Sequence, residues 1–260
     1  MNLTSMFHKF YILTSLILGL IFLLLWETVT HSLSISALVL PSPSAIFFTL
    51  IKGLSNGFFW PHVLQTLSEV FFGLVFGSIL GLGGGVFLGE MNILRKLLMP
   101  YVVMTQIIPK LALAPLFIVW FGFGSWPCIV MTTLICFFPM LETTMTAIDN
   151  VDTQKMKLFQ VLGAGRMQIL FNLKVASGLP FIFAGFRVSV VLSLVGAVVS
   201  EFIGASKGLG ALIIVGQGSM DTPMIFASIA LITVMGLAIY TLVNVMESYF
   251  LRNYPLKLRQ

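Results

Sequence analysis

The stretch GSILGLGGGVFLG, from Gly77 to Gly89, holds four glycines at every fourth position: Gly77, Gly81, Gly85 and Gly89. Gly73 extends the series by one turn. On a helix this spacing draws one stripe of bare backbone, along which a second helix can approach closely. A phosphate-cradling loop also uses glycines, but it needs G-x-G-x-x-G between a strand and a helix. That order and that setting are both absent. The stretch therefore reads as a packing surface within a long apolar helix over 63–89.

The composition of the whole chain says what surrounds such a helix. Of 260 residues, 58% are hydrophobic and 9% charged, and the mean hydropathy is +1.05. A soluble domain carries about 25% charge. So few charges cannot cover a soluble surface, whereas lipid removes the need for a polar exterior. The net charge of +5 has no dense Lys/Arg run with interleaved aromatics behind it, so nucleic acid is not expected as a partner. Cys128 and Cys136 lie on roughly one helix face, about 12 Å apart by helical rise. That separation forbids a disulfide, and both read as small buried apolar residues.

Six apolar runs are long enough to span, since about 20 helical residues cross about 30 Å of hydrocarbon. They cover approximately 10–30, 63–89, 98–121, 127–148, 180–203 and 224–246. The first is long for a signal sequence and lacks a small-x-small cleavage site, so it reads as a retained anchor. The fold class expected is all-α, a polytopic membrane protein of one domain over 1–260. With the N-terminus inside, Lys9, Arg95, Lys96, Lys155, Lys157, Arg166, Lys174, Arg252, Lys257 and Arg259 fall on the cytoplasmic side. Only Lys52 and Lys207 fall outside. This bias sets both termini in the cytoplasm.

Between the first two spans, Pro41 and Pro43 interrupt any helix. Ser44 is the expected cap of a short surface helix over 45–54, ended by Gly53 and Asn56-Gly57. Between the fourth and fifth spans lies a longer segment, 149–179, containing MKLFQVLGAGRMQILFNLKV (156–175). Asp149, Asn150 and Asp152 offer caps for a first helix, whose apolar face is Leu158, Phe159 and Leu162. Gly163-Ala164-Gly165 ends it, because glycine tolerates the left-handed conformation. A second helix starts near Arg166 and carries Met167, Leu170, Phe171 and Lys174. Gly178 and Pro180 mark the entry to the fifth span. Local physics leaves two readings for this elbow: a helix pair resting on lipid headgroups, or a knob that docks into a groove on a cytosolic partner.

A resemblance separates them. LPSPSAIFFTL (40–50), IIPKLALAPLFIVWFGFG (107–124) and VVSEFIGASKGLGALI (198–213) are similar to stretches of the permeases of bacterial ABC importers, in the sulfonate, taurine and nitrate group. In that family the last cytoplasmic loop carries E-A-A-x-x-x-G and, further on, Leu-Pro. The glycine corresponds to Gly163, and Leu179-Pro180 is present. Lys157-Leu158-Phe159 stand where E-A-A is usual, and Ala176 stands where a proline often follows. The resemblance covers about residues 38–250.

It implies a type I importer permease that docks on cytosolic ATPase subunits through Lys157, Leu158, Phe159, Gly163, Ala164, Gly165, Arg166, Met167 and Leu170. It also implies an external substrate-binding protein, a second permease copy, and ATP with Mg on the ATPase alone. The setting implied is the bacterial inner membrane. Solutes of this group include sulfonates, taurine, nitrate, thiamine pyrimidines and riboflavin.

The chain contains no Walker motif: GASKGLG (204–210) lacks the required order. Ionisable groups inside spans are candidates for function by default. Lys110, Glu142, Arg187 and Glu201 qualify, together with Glu69, whose place near the outer end of the second span lets it reach water. Arg187 can snorkel or pair with a carboxylate. Pro109 and Pro115 should kink the third span, and broken spans line cavities in transporters. Thr105 and Gln106 therefore join Lys110, Glu142, Arg187 and Glu201 as candidates for the path or its gate. No catalytic or metal constellation is visible; His8, His31 and His62 lie outside the apolar cores. A stand-alone secondary transporter is the rival class, but its inverted repeats are not evident.

Overall fold

The computed structural model describes residues 3–252, with side chains from Leu13 onward. His8 and Lys9 lie outside the described side chains, and Lys257 and Arg259 outside the described residues. The described residues contain helices and no strand. They fall into two compact units: one from residues up to Trp60 with Leu212–Ala230, the other from Pro61–Ala211 with residues from Leu231 on.

The first unit contains α1 (Leu3–Ser32) and α2 (Pro43–Ser55). α1 is apolar and exposed along most of its described length, as a lipid-facing span requires. The cap of α2 is Ser42, whose hydroxyl accepts from the Ala45 N–H, and not Ser44. Pro43 opens the helix instead of stopping it, because the first helical position has no N–H partner to lose. Ser44 is used elsewhere: its Oγ and N–H donate to the Glu27 carboxylate at 2.7 and 3.0 Å.

The second unit is built on α3 (Trp60–Glu90), α6 (Ser125–Asp149) and α9 (Ala176–Gly204). α3 lays its glycine stripe on α6. Gly73, Gly77, Gly81, Gly85 and Gly89 face Thr132, Cys136, Met140, Thr144 and Ile148 in turn. A methyl group at Gly81 would stand 2.5 Å from Met140 Cβ, and one at Gly85 would stand 2.6 Å from Thr144 Cβ. Only bare backbone permits that approach. Both series rise together, so α3 and α6 run parallel. α9 runs antiparallel to α6: Gly178 faces Ala147, Gly185 faces Thr143, and Gly196 faces Thr132.

Between α3 and α6 lie α4 (Asn92–Ile107), a 3-10 turn (Lys110–Leu113) and α5 (Ala114–Phe121). The kink expected in the third span, 98–121, is a break of 80° between Asn92–Ile107 and Lys110–Phe121. Pro109 lacks an N–H and biases Ile108 out of the helical region, and Ile108 is extended, at ψ 125°. A re-entrant loop would return α6 antiparallel to α3. The parallel glycine register shows instead that this broken segment carries the chain across. With it, six segments among the described residues are long and apolar enough to cross a membrane; without it, five.

α7 (Thr153–Val161) and α8 (Arg166–Gln168) follow α6, and a π-helical segment (Ile169–Val175) leads into α9. Gly178 and Pro180, expected at the entry to the fifth span, lie instead inside one continuous helix, Arg166–Gly204. Gly178 is a contact residue, not a stop, since a methyl there would lie 2.6 Å from Ala147 Cβ. α10 (Leu209–Ser219) and α11 (Thr222–Phe250) are the last helices of the described residues.

Candidate functional site

The elbow lies at the end of the second unit where α3 and α6 finish. Of the three capping candidates, Asp152 caps α7 by accepting from the Gln154 N–H at 2.8 Å. Asp149 closes α6 and pairs with Arg95. Gly163 takes φ +73°, the left-handed turn that ends α7, and its N–H donates to the Gln160 carbonyl. Gln168 Oε1 accepts from the Gly165 N–H at 2.9 Å, which closes the first turn of α8. Lys174 pairs with Glu90 at 2.5 Å and ties the π segment to the end of α3. The turn geometry is therefore held at both sides of Gly163.

What this scaffold presents is apolar. Leu158, Val161, Leu162, Met167 and Phe171 are all more than half exposed, with Val161 at 84%. Lys157, Gly163, Gly165 and Arg166 are also exposed, while Phe159, Ala164 and Leu170 are half-buried. Sequence reasoning omitted Val161 from the surface, because it falls outside the i, i+1, i+4 face that defined it.

The candidates for a path do not form one cluster. Thr105 and Lys110 border one cavity of about 440 Å³ between α4 and α6, while Gln106 and Glu142 are exposed and do not line it. Arg187 pairs with Glu247 of α11 at 3.2 Å. Glu201 is at the opposite end from the elbow and buried, inside a polar knot. Thr66 Oγ1 donates to Glu201 Oε1 at 2.6 Å, and the Gly210 N–H donates to Oε2 at 2.6 Å. The Leu209 N–H donates in turn to Thr66.

Glu69 does not reach water: it is fully buried beside this knot, because α6 and α9 cover that face of α3. Gln65 donates to Glu69 at 2.7 Å and also bonds Ser125. Gly208, at φ +135°, packs its backbone against the Glu201 carboxylate, leaving no room for a side chain. The knot holds the segment after α9 to the start of α3. The signal available in the sequence was a carboxylate followed by GLG, whose N–H groups can serve an acceptor.

The model of the family described as binding-protein-dependent transport system inner membrane component matches residues 73–254. The chain belongs to this family. The permease is 34% identical to the riboflavin transport system permease protein of Chloroflexus aurantiacus, over 90% of this chain and 87% of that one. It is 30% identical to the putative aliphatic sulfonates transport permease protein of Bacillus subtilis, over 91% and 86%. A solved structure of the MetNI methionine ABC transporter in inward facing conformations shares its fold. The TM-score is 0.57 at 22% identity, covering 70% of this permease and 94% of that chain. The fold is that of a type I ABC importer permease. The permease is a membrane-spanning transport subunit.

Proposed function

We propose that the permease forms half of an ATP-driven passage, as a homodimer, and that segment 149–179 is its handle for cytosolic ATPase subunits. The observation that carries this reading is the exposed apolar surface of the elbow on a rigid turn. Exposed apolar patches rimmed by polar groups mark interaction sites. Lys157, Leu158, Phe159, Gly163, Ala164, Gly165, Arg166, Met167 and Leu170 belong to the docking element, with Val161 added. ATP and Mg act on the ATPase; this chain supplies no cofactor site.

ATPase closure pulls two elbows together. Because Arg166–Gly204 is one helix, motion of the elbow passes into α9 as a rigid-body swing. α9 ends at the Glu201 knot, so the same rod reaches the opposite end, where an external binding protein delivers solute. Arg95, Lys96, Lys155, Lys157, Arg166 and Lys174 gather at the elbow end, supporting a cytoplasmic elbow with both termini on that side. The chain then acts as one six-span permease domain over 1–260 in the bacterial inner membrane, in contact with lipid. Its solute is a small organic molecule of the range its relatives carry.

The test is co-purification with a co-expressed ABC ATPase subunit from the same organism. Gly163→Pro, at a left-handed position proline cannot adopt, should abolish association while membrane insertion persists. Unchanged association would refute the docking role.

A further inference from the structure

Lys110 stands at the break between α4 and α5, within the crossing segment. A charge at that depth is costly unless something compensates it. Among the described residues no carboxylate forms an ion pair with Lys110. Its ammonium instead lies 4.4 Å from the centroid of the Phe138 ring. A ring face satisfies a cation in part, but an ammonium has three donors.

The same side chain borders the cavity of about 440 Å³, a size within the usual range for small-molecule sites. Aromatic rings of Tyr101, Phe137 and Phe138, with Val102, form much of its wall. The lining contains no acidic residue, and Thr105 and Tyr101 supply its hydroxyl groups. One cation therefore meets an apolar wall in which three aromatic faces stand among aliphatic side chains.

We propose that this cavity binds an organic monoanion with a flat apolar body, its anionic group on Lys110 and its body against Phe137, Phe138 and Tyr101. The assignment rests on the permease reading and names the solute class that its membrane segment favours. A zwitterion fits poorly, because its ammonium would meet a wall with no acidic partner. A small hydrophilic anion would leave the rings uncovered. A neutral aromatic would leave the cation uncompensated.

The test uses the full chain in lipid nanodiscs with three probes: naphthalene-2-sulfonate, its neutral sulfonamide, and taurine. Binding is read by equilibrium dialysis, and ATPase association is measured on the same discs. Naphthalene-2-sulfonate should bind wild type and Lys110→Arg, and lose more than about tenfold in affinity in Lys110→Met, the scale of one charge-assisted hydrogen bond. The sulfonamide should bind weakly and show no dependence on Lys110. Equal binding of naphthalene-2-sulfonate to Lys110→Met, taurine binding as tightly, or no saturable binding to wild type would each overturn the proposal. Wild type that associates with the ATPase but shows no saturable probe binding refutes this inference alone; wild type that fails to associate refutes the permease assembly itself.

Discussion

Gly81 and Gly83 lie half a turn apart on α3, and adding one methyl group at each should have opposite consequences. At Gly81 the new Cβ would sit 2.5 Å from Met140 Cβ and 2.7 Å from the Phe137 carbonyl oxygen. Carbon atoms rest at about 3.5–4.0 Å, so α3 and α6 must part by about 1 Å. At Gly83 nothing lies within 4 Å. Alanine favours helix over glycine by about 0.8–1.0 kcal/mol at either site, and that contribution cancels in the comparison. The overpacking cost, about 1–3 kcal/mol, remains. Gly81→Ala should therefore be less stable than Gly83→Ala by that amount, a factor of about 5 to 150 in the opening equilibrium. Cys128 and Cys136 are fully buried free thiols on α6, so their alkylation rate in detergent reports opening of the seam. Alkylation of Gly81→Ala no faster than of Gly83→Ala would show that the two helices do not pack through this stripe.

Three further outcomes follow from the ion pairs and the elbow. Glu247→Gln should lower stability by about 1–3 kcal/mol by stranding the Arg187 guanidinium. Arg187→Met combined with Glu247→Met should recover most of that loss in thermal unfolding. Glu201→Ala strands the Thr66 hydroxyl and the Gly210 N–H; it should cost about 2–4 kcal/mol and expose the 205–210 segment to hydrogen exchange, while Glu201→Gln costs less. Val161→Glu, at an exposed position, should change stability by under about 0.5 kcal/mol, yet weaken ATPase binding more than about tenfold by setting a charge in an apolar contact.

The helices were legible because lipid imposes long apolar runs, and the glycine stripe told which face of 63–89 is packed. Its partner was not legible: every span offers small residues, and only the coordinates pair Gly81 with Met140. Turn chemistry at Gly163 was readable because a positive φ demands glycine. The cap of α2 was assigned two residues late, because both Ser42 and Ser44 stand near the start of a helical pattern and Glu27, distant in sequence, claims Ser44. Pro180 set the start of the fifth span too late for a related reason. A proline removes one hydrogen bond, but packing of Gly178 on Ala147 keeps the rod whole. Glu69 was placed in water because its depth was judged along one helix alone; burial by α6 and α9 is tertiary.

The most direct measurement places a photo-crosslinking amino acid at Val161, the most exposed apolar position of the elbow, in cells that carry the cognate ATPase. The expected product joins the permease to that ATPase and vanishes when the ATPase gene is deleted. Adducts to lipid alone, with solute uptake continuing in the deletion strain, would contradict the coupling of this elbow to an ATP-driven partner.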